Sequence, residues 1–131
     1  MQRKPRWVVD VSTAYATYGV MGPRSRQLLE RLTRTDLSEG AFPFVTSREI
    51  DLGYATVRAT RITYVGELGW ELYVPTEFAV GVYEQLFEAG ADLSLTNAGY
   101  YAINSLRLDK GYRAFGADLT PDYGPVEAGL T

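Results

Sequence analysis

The 131 residues contain no cysteine and no histidine. Without cysteine there is no disulfide, no thiol nucleophile and no thiolate ligand for zinc. Without histidine the usual general base near neutral pH is missing, and so are most transition-metal sites. Chemistry on this chain therefore rests on carboxylates, tyrosines, lysines, arginines or a bound organic cofactor. Positive charge is scarce as well: 13 Lys and Arg stand against 16 Asp and Glu, a net charge of −3. A polyanion binder needs a clustered basic face, so nucleic acid is not expected as a partner. The one basic run, Arg3-Lys4-Pro5-Arg6, sits at the terminus. No apolar run approaches the roughly 18 residues of a membrane span, and the start MQRKPRWVVDV lacks the apolar stretch of a signal peptide. The expectation is a soluble protein without membrane contact, cytoplasmic or, in a eukaryote, in the mitochondrial matrix.

What is present is ordinary globular material, with 46% hydrophobic and 22% charged residues. The length allows one domain at most, or a piece of one, with a buried core. WVVDVSTAYATYGVMG (7–22) is β-branched and aromatic and reads as one strand or two. In GPRSRQLLERL, Pro23 fits a first helical position and Leu28, Leu29 and Leu32 form a stripe. Residues 35–44 read as loop. REIDLGYATVRATRITYV (48–65) reads as two strands bent at Gly53. Thr76 is positioned as the cap of a helix carrying Phe78, Val82, Leu86 and Phe87 on one face, with Gly90 as its stop. A second helix follows, capped by Thr96 or Asn97 and stopped by Gly111. The tail from Tyr112 is Gly- and Pro-rich loop. The order implies an α+β fold, antiparallel strands with interspersed helices, compatible with ferredoxin-like split β-α-β units.

One stretch poses a chemical question. In RITYVGELGWELYV (61–74), Glu71 interrupts a strand that is otherwise apolar and aromatic. If residues 66–69 form a hairpin loop, Val65 pairs with Trp70 and Tyr64 with Glu71, with Ile62 and Tyr73 next on the same face. Trp70, Leu72 and Val74 then alternate to the core. An ionised carboxylate has two acceptor oxygens, so it suits a flat heteroaromatic ring that presents two adjacent N–H donors. Each such bond to a charged group is worth on the order of 1.5–3 kcal/mol, and Tyr64 and Tyr73 can cover the ring faces. The alternative is a solvated Glu71 on the outer face of a hairpin, and Glu67, in the loop, reads as solvated. GVMGPRSR admits an anion at a helix start or an ordinary helix beginning. Asp118, Asp122 and Glu127 lack the dense oxygen ligands of a calcium loop and read as turn formers.

RITYVGELGWELYVPTE resembles the hairpin of the folate-binding domain shared by the glycine-cleavage T-protein and the dimethylglycine and sarcosine oxidases and dehydrogenases. The resemblance continues through GPRSRQLLERLT, DLSEGAFPFVTSREIDLG, INSLRLDKGYRAFGADLTPD and PVEAGL, nearly the whole chain from about Val8. Trp70, FPF and SLRLDKGYRAFGADL are closest to the dimethylglycine/sarcosine branch. The resemblance implies an aminomethyltransferase fold in which tetrahydrofolate lies in a central channel and takes up a one-carbon unit at N5. It implies that the acid at Glu71 holds the pterin through paired hydrogen bonds and that Tyr64 lines the site, in agreement with the hairpin geometry that also brings Tyr73 there. Arg107 falls in a motif near the folate channel, or else serves as an ion-pair partner of Asp109. Ile103 stands where many T-proteins carry a further arginine, so contacts made through that arginine do not carry over.

The same resemblance implies a partial domain, the central to C-terminal part, spanning residues 1–131. The family's catalytic aspartate would lie before Met1, Asp10 has no motif match to it, and no catalytic residue is assigned. A flavin domain, with FAD, would lie upstream in the oxidases and dehydrogenases, and no G-x-G-x-x-G follows a strand here. The implied function is a tetrahydrofolate-binding module of a one-carbon transferase in glycine, dimethylglycine or sarcosine catabolism, inactive by itself. Its implied partners are reduced folate and the remaining segments of the parent enzyme, with self-association through exposed apolar surface. The alternative is a regulatory or scaffolding relative that keeps the fold without the chemistry.

Overall fold

The computed structural model describes residues 7–130, so the basic run at 3–6 lies outside it. Four strands, β1 (Tyr15–Met21), β2 (Ser47–Leu52), β3 (Ala55–Thr60) and β4 (Gly69–Pro75), are accompanied by helices α1 (Ser25–Leu29), α2 (Ala79–Ala89) and α3 (Tyr100–Asp109). Gly53 and Tyr54 alone connect β2 to β3, and Gly53 adopts φ 60°. A positive φ at the first loop residue matches the twist of a tight hairpin, which explains the glycine. The sheet order is β1-β4-β3-β2 with every neighbouring pair antiparallel. This is a Greek-key order in which the long connection comes first. The α+β class with an antiparallel sheet and interspersed helices is therefore as expected. The crossover from β1 through α1 ends on a strand antiparallel to β1, so the comparison with split β-α-β units does not extend to strand direction.

Alternation along the strands gives the sheet one apolar face. Trp70, Leu72 and Val74 of β4, Ala55, Val57 and Ala59 of β3, Ile50 and Leu52 of β2 and Val20 of β1 are buried together. Leu28, Leu29, Leu37, Phe42, Val82 and Leu86 close the core from the other layer. Trp70 lies at its centre, fully buried, edge-on to Phe42 at 6.3 Å between centroids. The guanidinium groups of Arg26 and Arg61 sit 5.9 and 5.7 Å from its ring centroid. Arg61 is itself buried, and its charge is met by Glu39 (2.6 Å) and the Phe42 carbonyl (2.7 Å).

The helices follow their local signals unevenly. α1 is shorter than its leucine stripe suggests, because beyond Leu29 the chain tightens into bonds from Arg31 to Leu28 and from Leu32 to Leu29. α2 enters through a 3-10 turn at Thr76–Phe78, and Thr76 donates to the Thr13 carbonyl instead of capping the helix. Val82 and Leu86 face the core, Phe78 does not, and Gly90 ends the helix. Gly99, not Thr96 or Asn97, occupies the cap position of α3. Its end matches expectation: Gly111 at φ 72° donates to Leu108 and Tyr112 to Arg107, a Schellman closure. Ahead of β1, Trp7, Val8, Val9 and Val11 are exposed and form no strand. Among the described residues no helix is long and apolar enough to cross a membrane.

Trp70→Ala should cost on the order of 3–5 kcal/mol, the usual range for emptying a buried aromatic site. Urea unfolding of the two chains measures it, and a loss under about 1 kcal/mol would be incompatible with a core built around this indole.

Candidate functional site

Because Trp70 and Leu72 point into the core, Glu71 and Tyr73 point to the opposite face, which among the described residues no helix covers. Glu71 is half-buried there, and the Tyr73 hydroxyl donates to its Oε2 at 2.7 Å. That bond holds the Tyr73 phenol above its ordinary pKa, with burial adding to the effect, so Tyr73 remains a donor well beyond neutral pH. One carboxylate offers about four lone-pair sites, and Tyr73 uses one of them. The neighbours across the sheet are Gly19 of β1 and Thr60 of β3 for Glu71, and Thr17 and Arg58 for Tyr73. Thr60 is tied to Ser47 and Arg58 to Glu49, each at 3.0 Å, so neither competes for the acid.

The expected pairing of Tyr64 with Glu71, and of Ile62 with Tyr73, is not found. β3 leaves β4 at Thr60, and residues 61–68 form a loop. Arg61 causes the departure. Its backbone bonds to Val45 and Thr46, its side chain is drawn under the sheet to Glu39, and Ile62 N–H turns back onto the Thr60 carbonyl. The last contact is a three-residue turn that a straight hairpin strand does not contain. Glu71 keeps its expected orientation because alternation along β4 sets it, whereas its partner came from an assumed register.

Tyr64 instead lines a cleft of about 650 Å³ that wraps the outer edge of β1. Thr17 and Gly19 also line it, together with Tyr83 and Phe87 of α2 and Ile103 and Leu106 of α3. The two β1 residues beside Tyr73 and Glu71 are thus also cleft residues. Glu67 lines the cleft and pairs with Lys110 at 3.0 Å, which corrects its reading as a merely solvated loop residue. The Lys110 stem lies against Gly66, where a Cβ would come within 2.4 Å of it.

Arg107 is not among the cleft-lining residues. It is buried at 5% exposure, donates to Asn104 (2.9 Å) and the Tyr112 carbonyl (3.0 Å), and pairs with Asp118. An ion pair is thus observed, made with Asp118 and not with Asp109. Asp122 and Glu127 act locally, taking a hydroxyl contact from Thr120 and the Gly124 N–H. Ser25 donates inward to the Leu68 carbonyl, and α1 is one short turn, which leaves the anion reading of GVMGPRSR without support.

Known proteins give the geometry its context. The GCVT N-terminal domain model matches residues 1–131. The chain belongs to this family. It is 45% identical over 98% of its length to human mitochondrial sarcosine dehydrogenase and 40% identical over 94% to human mitochondrial dimethylglycine dehydrogenase. It is 42% identical over 94% of its length to an aminomethyltransferase of Halothermothrix orenii. The chain spans 14% of the length of each dehydrogenase and 34% of the aminomethyltransferase. The resemblance to this family and its dimethylglycine/sarcosine branch is thereby confirmed.

Sequence reasoning missed Gly19 as the neighbour of Glu71 and Thr17 as that of Tyr73, Asp118 as the partner of Arg107, and Lys110 as that of Glu67. Only Gly19 carried a local signal, a glycine inside a strand of aromatic and β-branched residues. The Ala114 N–H first, and Arg107 second, hold the Asp118 carboxyl below its ordinary pKa. A lowered carboxylate stabilises the fold above its unfolded pKa and loses that contribution as pH falls through the folded value. Amide protection in residues 112–119, taken relative to the intrinsic exchange rate at each pH, should therefore fall below about pH 4, with Asp118→Asn showing the lost protection already at neutral pH. Equal protection in the two chains at pH 7 would contradict the clamp.

Proposed function

We propose that this chain provides a reduced-folate binding surface serving one-carbon transfer from a small amine, in glycine, dimethylglycine or sarcosine breakdown. The supporting observation is Glu71, a half-buried acid with spare lone pairs on an uncovered sheet face, oriented by Tyr73 and beside an aromatic cleft. In this reading Glu71 accepts the paired N–H donors of the pterin edge, Tyr73 fixes the carboxylate plane, and Tyr64 lines the approach. The bound folate supplies the nitrogen that takes up the one-carbon unit. The chain's own residues hold and orient the ring, and no group described here is assigned to proton transfer. Arg107 holds the 112–119 loop against α3 through Asp118 and the Tyr112 carbonyl.

The family relatives support the coarse role, since they are named as an aminomethyltransferase and as sarcosine and dimethylglycine dehydrogenases. The partners in this reading are reduced folate and further parts of such an enzyme, in the cytoplasm or the mitochondrial matrix. Exposed Trp7 and Phe115 favour self-association of this chain in isolation.

Titration calorimetry with folinate, a stable reduced folate, tests the reading beside Glu71→Gln, once circular dichroism shows equal folding. The substitution keeps the shape but turns one acceptor into a donor. Binding should weaken by roughly tenfold or more, about 1.4 kcal/mol, the scale of one hydrogen bond to a charged group. Equal affinity of the two chains would make Glu71 a solvated acid and remove the proposal.

A further inference from the structure

Two glycines sit within the paired strands β1 and β4, and they differ in kind. Gly69 is enforced by packing: a Cβ there would lie 2.8 Å from Met21 Cγ and 2.9 Å from the Val20 carbonyl oxygen. Gly19 is under no such pressure. Its φ lies outside the left-handed region, and a Cβ would meet only Met21 Cε, at 3.4 Å, an ordinary contact. A glycine inside a strand weakens it through lost chain entropy and missing side-chain contacts, so an unforced one calls for another reason.

Its position supplies one. Gly19 is the direct partner of Glu71 across β1 and β4, so any side chain it carried would stand beside the carboxylate on the same face. Gly19 is also part of the cleft wall, whereas Glu71 and Tyr73 are set back one strand from the cleft. Between the cleft and the acid lies the Gly19 backbone, with only the Met21 methyl reaching the space a Cβ would meet. To either side along the strand, Thr17 and Met21 do carry side chains on that face.

We propose that Gly19 keeps open the lane by which the edge of a flat ring passes from the cleft to the Glu71 carboxylate, and so limits the width of ring this site accepts. The inference rests on Glu71 being the ring's acceptor, and it adds a specificity-determining residue that does not itself bond to the ligand. It also makes a prediction of opposite signs. Valine fits the backbone and favours strands, so filling position 19 should make the protein more stable while it obstructs the ligand.

Gly19→Ala and Gly19→Val, compared with the parent chain by thermal unfolding and by folinate calorimetry, supply the test. Both variants should melt higher than the parent. Affinity should fall a few-fold for alanine and at least tenfold for valine. Valine binding within twofold of the parent overturns the lane, and so does a lower melting temperature in either variant, which would make Gly19 a packing glycine. Glu71→Gln, run alongside, separates the failures. If it loses affinity while Gly19→Val keeps it, the lane alone is wrong. If Glu71→Gln binds like the parent, or the parent binds no folinate, the carboxylate reading falls and the lane falls with it.

Discussion

The burial of Trp70 is the constraint on which the rest of the structure depends. Its indole fills the centre of the core against Phe42 and under two guanidinium groups, a position that only one register of β4 can satisfy. Side chains in a strand alternate strictly, so fixing Trp70 inward fixes Glu71 outward. The same register sets Gly19 and Thr60 on either side of the acid. A slip of one residue would drive a carboxylate into the core, at a cost of several kcal/mol, and expose the largest side chain the core contains. The core and the candidate site are thus two faces of one strand.

Arg61 is the second determinant. A buried guanidinium is tolerated when it is paired and hydrogen-bonded, and Glu39 and the Phe42 carbonyl meet both needs at its terminal nitrogens, although the buried Nε finds no partner among the described residues. The consequence is felt in the backbone: drawing Arg61 beneath the sheet ends the β3–β4 ladder at Thr60 and releases residues 61–68 as a loop. That loop carries Tyr64 to the cleft, and Lys110 anchors it by lying on Gly66 and pairing with Glu67. A core interaction therefore decides where a site residue stands.

Much of this was legible in the sequence, and the legible parts share a cause. The Gly53 turn, the helix stops at Gly90 and Gly111, and the in–out pattern of Trp70 to Val74 depend on a few adjacent residues and on backbone geometry. The family, too, could be read from local motifs. The illegible parts depend on contacts distant in sequence. The partner of Glu71 is not the one the hairpin pattern implies, because Arg61 answers to Glu39, and nothing local points to Asp118 over nearby Asp109 as an ion-pair partner for Arg107. α1 ends early although its leucine spacing continues, since Leu32 is reached by a tightened turn and not by another helical one. The cleft could not have been foreseen from pattern alone, because it joins β1 to two helices far along the chain.

The central claim is that the uncovered face where β1 meets β4 receives the ring of a reduced folate. Amide-resolved NMR of the labelled chain during addition of folinate tests it most directly. The account predicts that the Thr17, Gly19, Glu71 and Tyr73 signals move together along one saturating curve, while Glu49 and Asp51 at the far edge of the sheet stay still. Shifts confined to β2, or clustered around Arg107 with Glu71 unmoved, would contradict it.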